Sequence, residues 1–426
     1  MVDLTSGLIW SATLPSWQRT YFSMLLQETL RTKSIMVPYT ALKEDFAAAK
    51  SGIITFTEVF DTEPNWNALT ESGIWLTGGA LDSRTVNLQL EIHGDILKFS
   101  DYNEVVQYVN NGDMRGLVKE KIGQNQVDYL DILARNAFLA HPNNSRLIAG
   151  ALTPAGSRES ITATDLFDPD LCETIRVHLE ENEVPGVAGP GDGEGATIVC
   201  VTTPRVIKDI RTAASSKWLE VQEYNGAARK FNSEVGMWNG IRFIKTNRLR
   251  LLNYGVNQHQ TTLSAATVTG QGAKVSVDSV YTVGQSGATV SIPVVASAGF
   301  TVGMRITIHD VTKNGGAGHP PIESDGTQET RRITQIVDGT HISLDKPLLK
   351  PHAIGDLVTN GVPVHSSIFM GGPGVVYGVG ERPNVIQPPK YDDLMMVNRY
   401  GWRGFLKMQL FRPEFFEVVE TTGSLD

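Results

Sequence analysis

The spacing of apolar and polar positions changes period several times along the chain. After Pro15-Ser16, the residues Trp17, Tyr21, Leu25 and Leu26 recur at helical spacing, with Pro15 suited to a first turn. That helix closes before Pro38 and has no obvious local partner. The period then shortens to two. Ile53-Ile54-Thr55-Phe56-Thr57-Glu58-Val59-Phe60 predicts a strand, and Thr85 to Leu97 alternates again through Val86, Leu88, Leu90 and Ile92. Between them lie Pro64, Asn65, Gly73, Gly78 and Gly79, so residues 51–98 read as one extended hairpin with a polar tip. A lone two-stranded hairpin is marginal in water. One this long is expected to finish its packing on a neighbour.

Helical spacing returns in 101–140, where Val118, Ile122, Val127, Leu130, Ala134 and Phe138 form an imperfect stripe. Gly112 and Gly116 weaken its start by about 1 kcal/mol each relative to Ala. His141-Pro142-Asn143-Asn144 supplies the stop. Residues 150–258 alternate helix and strand. Asp168-Pro169 is a cap and first turn for Leu171, Ile175 and Leu179, and Ala196 to Val201 is a buried-strand run. Thr203-Pro204 opens another helix, and Val235 to Ile244 reverts to strand. From 261 to 360 Thr, Val, Ser and Gly dominate. Two strand runs there flank Asp338-Gly339-Thr340, a hairpin signal. All seven tryptophans lie outside this stretch, which marks it as an inserted all-β unit. The C-terminal part reads as a strand pair broken at Arg412-Pro413. The fold class expected is α+β.

Composition narrows the function. The chain has 426 residues, 41% of them hydrophobic, enough for several compact units. A net charge of −9 without basic clusters argues against nucleic-acid binding as a general role. Cys172 and Cys200 are too few for a disulfide framework or a four-cysteine zinc site and read as buried small hydrophobes. The start Met1-Val2-Asp3-Leu4 lacks a secretory pattern, and no apolar run would span a bilayer. A soluble protein made inside the cell is expected, with no membrane partner.

Candidate chemistry is thin. Gly189-Pro190-Gly191-Asp192-Gly193-Glu194-Gly195 lacks the Lys-Ser/Thr ending of a phosphate loop, and its own acids would repel phosphate. Gly374, Gly378 and Gly380 read as turn or close-packing glycines. His309 and His319, near Asp310 and Glu323, match no standard ligand spacing and read as a solvated β-loop. Asp392-Asp393 reads as a cap or loop. No Gly-x-Ser-x-Gly elbow is present. No cofactor, metal or catalytic residue is expected.

The order of parts, namely arm, hairpin, long helix, α/β unit, β insertion and terminal strands, resembles the major capsid protein of tailed bacteriophages. The stretches that carry the resemblance are Gly94-Asp95-Ile96-Leu97-Lys98-Phe99-Ser100-Asp101, Leu130-Asp131-Ile132-Leu133-Ala134-Arg135-Asn136, and Pro204 to Ala214. Tyr224-Asn225-Gly226-Ala227, Phe231 to Gly236, Ile241-Arg242-Phe243-Ile244, and Gly401-Trp402-Arg403-Gly404-Phe405 to Glu420 complete the set. Ile336 to Ile342 is the nearest local match within the insertion.

The resemblance implies an N-terminal arm (1–50), an extended loop (51–98), and a peripheral domain with a spine helix (99–149 and 386–426). It further implies an axial domain (150–260 and 361–385) and an inserted β-domain (261–360). It implies a subunit that self-assembles through hexamers and pentamers into an icosahedral head in the host cytoplasm. That head would become part of the virion and enclose double-stranded DNA without sequence-specific binding. Portal, scaffolding and possible decoration proteins are the implied partners. Some relatives weld subunits through a lysine on the extended loop; Gly52 to Leu97 contains no lysine, so this route is not expected. Trp17, Tyr21, Trp66 and Trp75 are the candidate subunit-interface residues, because aromatic anchors dominate interface energetics. For Trp66 and Trp75, packing within the hairpin's own tip has equal standing. Three other readings stay open: a nanocompartment shell of the same fold, a β-rich tail or adhesion protein, and a polysaccharide hydrolase.

Overall fold

A computed structural model of the chain describes residues 34–44, 52–60, 82–100, 114–141, 145–154, 160–187, 197–213, 218–220, 233–246, 249, 252–268, 271–272, 291–309, 329–387 and 397–424. The first strands are β1 (Thr40–Glu44), β2 (Ile53–Val59), β3 (Ser83–Gln89), β4 (Glu91–Ser100), β5 (Ser145–Ile148) and β6 (Ala151–Pro154). Next come β7 (Ile198–Thr202), β8 (Leu219–Glu220), β9 (Glu234–Trp238), β10 (Ile241–Lys245) and β11 (Leu252–Thr262). The series ends with β12 (Ile292–Pro293), β13 (Arg305–His309), β14 (Glu329–Asp338), β15 (His341–Leu344), β16 (Leu357–Met370), β17 (Val375–Ile386), β18 (Val397–Leu410) and β19 (Phe416–Thr422). The α-helices among the described residues are α1 (Met114–Leu139), α2 (Pro169–Glu181) and α3 (Pro204–Ala213). None is long and apolar enough to cross a membrane.

The chain divides into two compact units. The first holds β1 to β4, α1 up to Tyr129, β17 and β18. Its main sheet has the order β1-β17-β18-β4, with β1 parallel to β17 and the other neighbours antiparallel. Among the described residues, β2 and β3 pair only with each other, in a separate two-stranded sheet. The predicted hairpin over 51–98 is therefore shorter than expected. Its second strand breaks at Leu90, and β4 joins β18 instead. Period-two alternation runs through the break, so the pattern alone hides the change of sheet.

The second unit holds the rest of α1, both shorter helices and a large mixed sheet. The ladder runs β12-β15-β14-β13-β16-β7-β10-β9-β8, with β11, β19, β5 and β6 attached through β16. β10 lies parallel to β7, as an α3 crossover requires. Around that pair, Leu171, Ile175, Leu179, Val206, Ile210, Phe243, Phe369 and Val419 close one core. Asp168 caps α2, accepting the Leu171 N–H at 2.8 Å. A separate core lies among the strands of the predicted insertion, from Ile292, Ile306, Ile308, Ile333, Ile342, Leu344 and Val358. The terminal strands differ from expectation. The break at Arg412-Pro413 is real, but β18 and β19 do not pair; β19 runs antiparallel to β16.

Candidate functional site

The most distinctive surface of the first unit surrounds the β2–β3 hairpin. Its inner face is apolar: Leu88 packs with Val376 and Phe411, and Phe56, Val86 and Ala41 lie against them. Gly378 matters here, because a methyl group at its position would sit 3.1 Å from Leu88 and 3.4 Å from Ile54. Charged side chains staple the edges. The Arg84 guanidinium stands 5.6 Å from the Phe60 ring and 5.4 Å from the Phe411 ring, and pairs with Glu58 at 2.8 Å. Lys43 Nζ donates to the Thr55 carbonyl at 2.6 Å and lies over the Phe56 ring. Arg382 donates to Glu44 at 2.6 Å.

The outer face stays open. Ile53, Val59 and Phe60 are exposed, and on β4 Ile92 is 77% exposed, with Ile96 and Leu97 also accessible. The alternate positions of β4 meet α1. Tyr129 Oη is 2.7 Å from His93 Nδ1, and Asn125 donates to Asp95 at 3.0 Å. Trp402 Nε1 donates to Asn125 Oδ1 at 2.9 Å, and its ring packs on Tyr129. Burial lowers the His93 pKa and raises that of Tyr129. One face of β4 is thus pinned to the helix while Ile92 and Ile96 face outward. Such a surface can bury apolar area against another chain.

The aromatic anchors chosen from sequence, Trp17, Tyr21, Trp66 and Trp75, fall outside the described residues, as do the Gly189–Gly195 loop, His319 and Asp392-Asp393. The staple residues Arg84, Phe60 and Phe411 were not singled out by sequence. Arg84 and Phe411 are separated by over three hundred positions, and no local pattern links them. The solvated-loop reading of His309 is corrected: this residue ends β13 and is buried, because β13 is flanked by β14 and β16. Gly374 and Gly378 behave as close-packing glycines, a methyl at Gly374 falling 2.2 Å from the Phe416 ring. Cys172 and Cys200 are both buried, and burial pushes both thiols well above their ordinary pKa. Among the described residues, no three His, Cys, Asp or Glu side chains converge on a possible metal ion.

Comparison with known proteins decides what this architecture is. The sequence model of the phage capsid protein family matches residues 85–293, from β3 into β12. The capsid of Ralstonia phage GP4 is similar over 92% of this chain and 92% of its own, at 10% identity and a TM-score of 0.55. The chain has the fold of phage capsid proteins, and residues 85–293 match the sequence model of that family. These findings agree on a structural role, that of a major capsid protein of a tailed phage. Other capsid-fold structures align more loosely. The capsid asymmetric unit of cyanophage Pam1 covers 92% of both chains at 8% identity and a TM-score of 0.48. An encapsulin complex from Synechococcus elongatus covers 91% of this chain and 86% of its own, at 8% identity and a TM-score of 0.42. No curated protein sequence matches the chain.

Proposed function

We propose that this protein is the major head subunit of a tailed phage, self-assembling through hexamers and pentamers into an icosahedral shell around double-stranded DNA. The observation that carries the reading is the capsid fold over 92% of the chain together with the family match across residues 85–293. The open face of the hairpin and of β4 supports it: apolar side chains such as Ile92 gain from burial against a second copy, about 25 cal/mol for each Å² covered. In this reading residues 1–50 are the arm and 51–98 the loop that overlaps a neighbour. Residues 99–149 and 386–426 are the peripheral domain, 150–260 and 361–385 the axial domain, and 261–360 the insertion. Trp17, Tyr21, Trp66 and Trp75 are proposed contacts between subunits. Assembly takes place in the host cytoplasm with scaffolding and portal proteins. The net charge of −9 fits a wall that encloses DNA without gripping it.

The test is electron microscopy of the purified protein, expressed alone and with its genomic neighbours. Closed polyhedral shells, or capsomer rings and tubes, are expected. A monodisperse monomer or trimer under every condition overturns the proposal. Shells that fill with a cargo enzyme and never with DNA replace it by the nanocompartment reading.

A further inference from the structure

The end of β19 sits in a buried polar pocket of the second unit that the assembly reading does not use. His365 lies on β16, opposite Thr421, and is fully buried. Its Nδ1 is 2.7 Å from the Thr203 hydroxyl at the start of α3. Its Nε2 has no hydrogen-bond partner among the described residues. That nitrogen is covered by Gly423: a methyl group there would fall 2.7 Å from Nε2 and 3.2 Å from Arg205 Cβ. The next residue closes the pocket. Ser424 donates its N–H to Asp209 Oδ2 at 2.9 Å and its hydroxyl to Oδ1. Before it, Thr422 donates its N–H to the Asp165 carbonyl at 3.0 Å and its hydroxyl to the Pro363 carbonyl at 3.1 Å.

We propose that residues 421–424 form an acid-sensitive latch, closed while the His365 ring is neutral and opened when the ring takes a second proton. A neutral imidazole has one N–H, and Thr203 satisfies one ring nitrogen. An imidazolium carries a proton on both nitrogens. In the tautomer whose Nδ1–H donates to the Thr203 hydroxyl, the second proton falls on Nε2 and points at the Gly423 backbone with no acceptor, which is costly in a buried site. Arg205 on α3 adds a like charge nearby. Burial first, and Arg205 second, hold the ring's pKa at about 3, against the ordinary 6.5. Among the other charged groups, Asp209 is engaged with Ser424. Glu420 lies opposite Ser366, so the alternation of β16 directs it to the other face, where it pairs with Arg146 at 2.9 Å.

The sign follows by linkage. The open state binds the extra proton with an ordinary histidine pKa, and the closed state resists it. The closed latch is therefore fully stable above 6.5 and loses stability as pH falls from 6.5 toward 3. At a pH of about 4.5 the opening equilibrium should rise about 100-fold over neutral pH.

The test is hydrogen exchange on the full-length protein at neutral pH and at about pH 4.5, corrected for intrinsic exchange rates. Amides 421–424 should lose protection about 100-fold, while those of β10 keep theirs. His365→Gln cannot be protonated and should remove the pH dependence. Equal protection at both pH values overturns the latch, as does an unchanged pH dependence in His365→Gln. Loss of β10 protection alongside 421–424 also overturns it, because the event is then global unfolding. Should His365→Gln fail to fold, Ser424→Ala decides. It should raise opening at both pH values by the same factor; a collapse of the acid-to-neutral ratio sinks the role of His365. The experiment needs no shell, so its outcome is separate from that of the assembly reading.

Discussion

Two hairpins in this molecule have similar sequence patterns and opposite fates. β14 and β15 meet at a two-residue turn, where Asp338 accepts the Thr340 N–H at 2.7 Å. They sit inside a sheet, with β13 on one side and β12 on the other, and Ile333, Ile342 and Leu344 all enter a closed core. Among the described residues, β2 and β3 have no further strand partner. Only Ile54 and Leu88 of their side chains are fully buried, while Ile53 and Val59 remain exposed. Alternation alone predicts both pairs. What separates them among the described residues is the number of neighbouring strands, and this decides whether the apolar side chains are covered within the subunit or stay exposed.

The largest expected effect comes from breaking the better-packed hairpin. Ile342 is fully buried among Ile292, Ile333 and Leu344. Ile342→Ala leaves a cavity there and should cost about 2–5 kcal/mol, read as a lower denaturation midpoint. A loss below about 1 kcal/mol would mean that this core can collapse around the gap, and the contrast between the hairpins would weaken.

A smaller loss is expected at the staple of the first hairpin. Arg84→Ala removes a partly buried ion pair with Glu58 and two cation–π contacts. Together these should be worth about 1–2 kcal/mol, felt locally. Hydrogen exchange in 53–59 and 83–89 should accelerate while α2 stays protected. Uniform acceleration across the protein would show that the hairpin is part of the global cooperative unit, contrary to its topology.

Sequence legibility followed the range of the interactions. α2 and α3 were readable because Asp168-Pro169 and Thr203-Pro204 start them within one turn. The β14–β15 hairpin was readable because Asp338-Gly339-Thr340 acts over three residues. The partners that lie far apart in the chain were not. Asp131 is buried within α1 and accepts the N–H groups of Ile35 and Met36 at 3.0–3.2 Å, ninety-five or more positions away. Arg146 and Glu420 form a fully buried ion pair across 274 positions. Leu90 hides a change of sheet because Leu88, Leu90 and Ile92 keep period two while burial drops abruptly at Ile92. The candidate contact surface was legible only in outline: the exposed hairpin was expected, but Arg84 and Phe411 emerge only from their ring contact, and the exposure of Ile92 only from the pairing of β4 with β18.

The smallest effect on stability should accompany a clear effect on assembly. Val59 ends β2 and is 59% exposed, whereas Val337 on β14 is 51% exposed. Val→Thr keeps the β-branch and shape, so strand preference is retained and only polarity changes. Neither Val59→Thr nor Val337→Thr should move the folding midpoint of the isolated subunit by more than about 0.5 kcal/mol. If the first hairpin keeps its apolar face for a second copy, Val59→Thr should raise the protein concentration at which shells form, and Val337→Thr should not. Light scattering across a concentration series reads this directly. Equal shifts for both variants would mean that exposure alone, and not the lack of neighbouring strands, marks the contact surface.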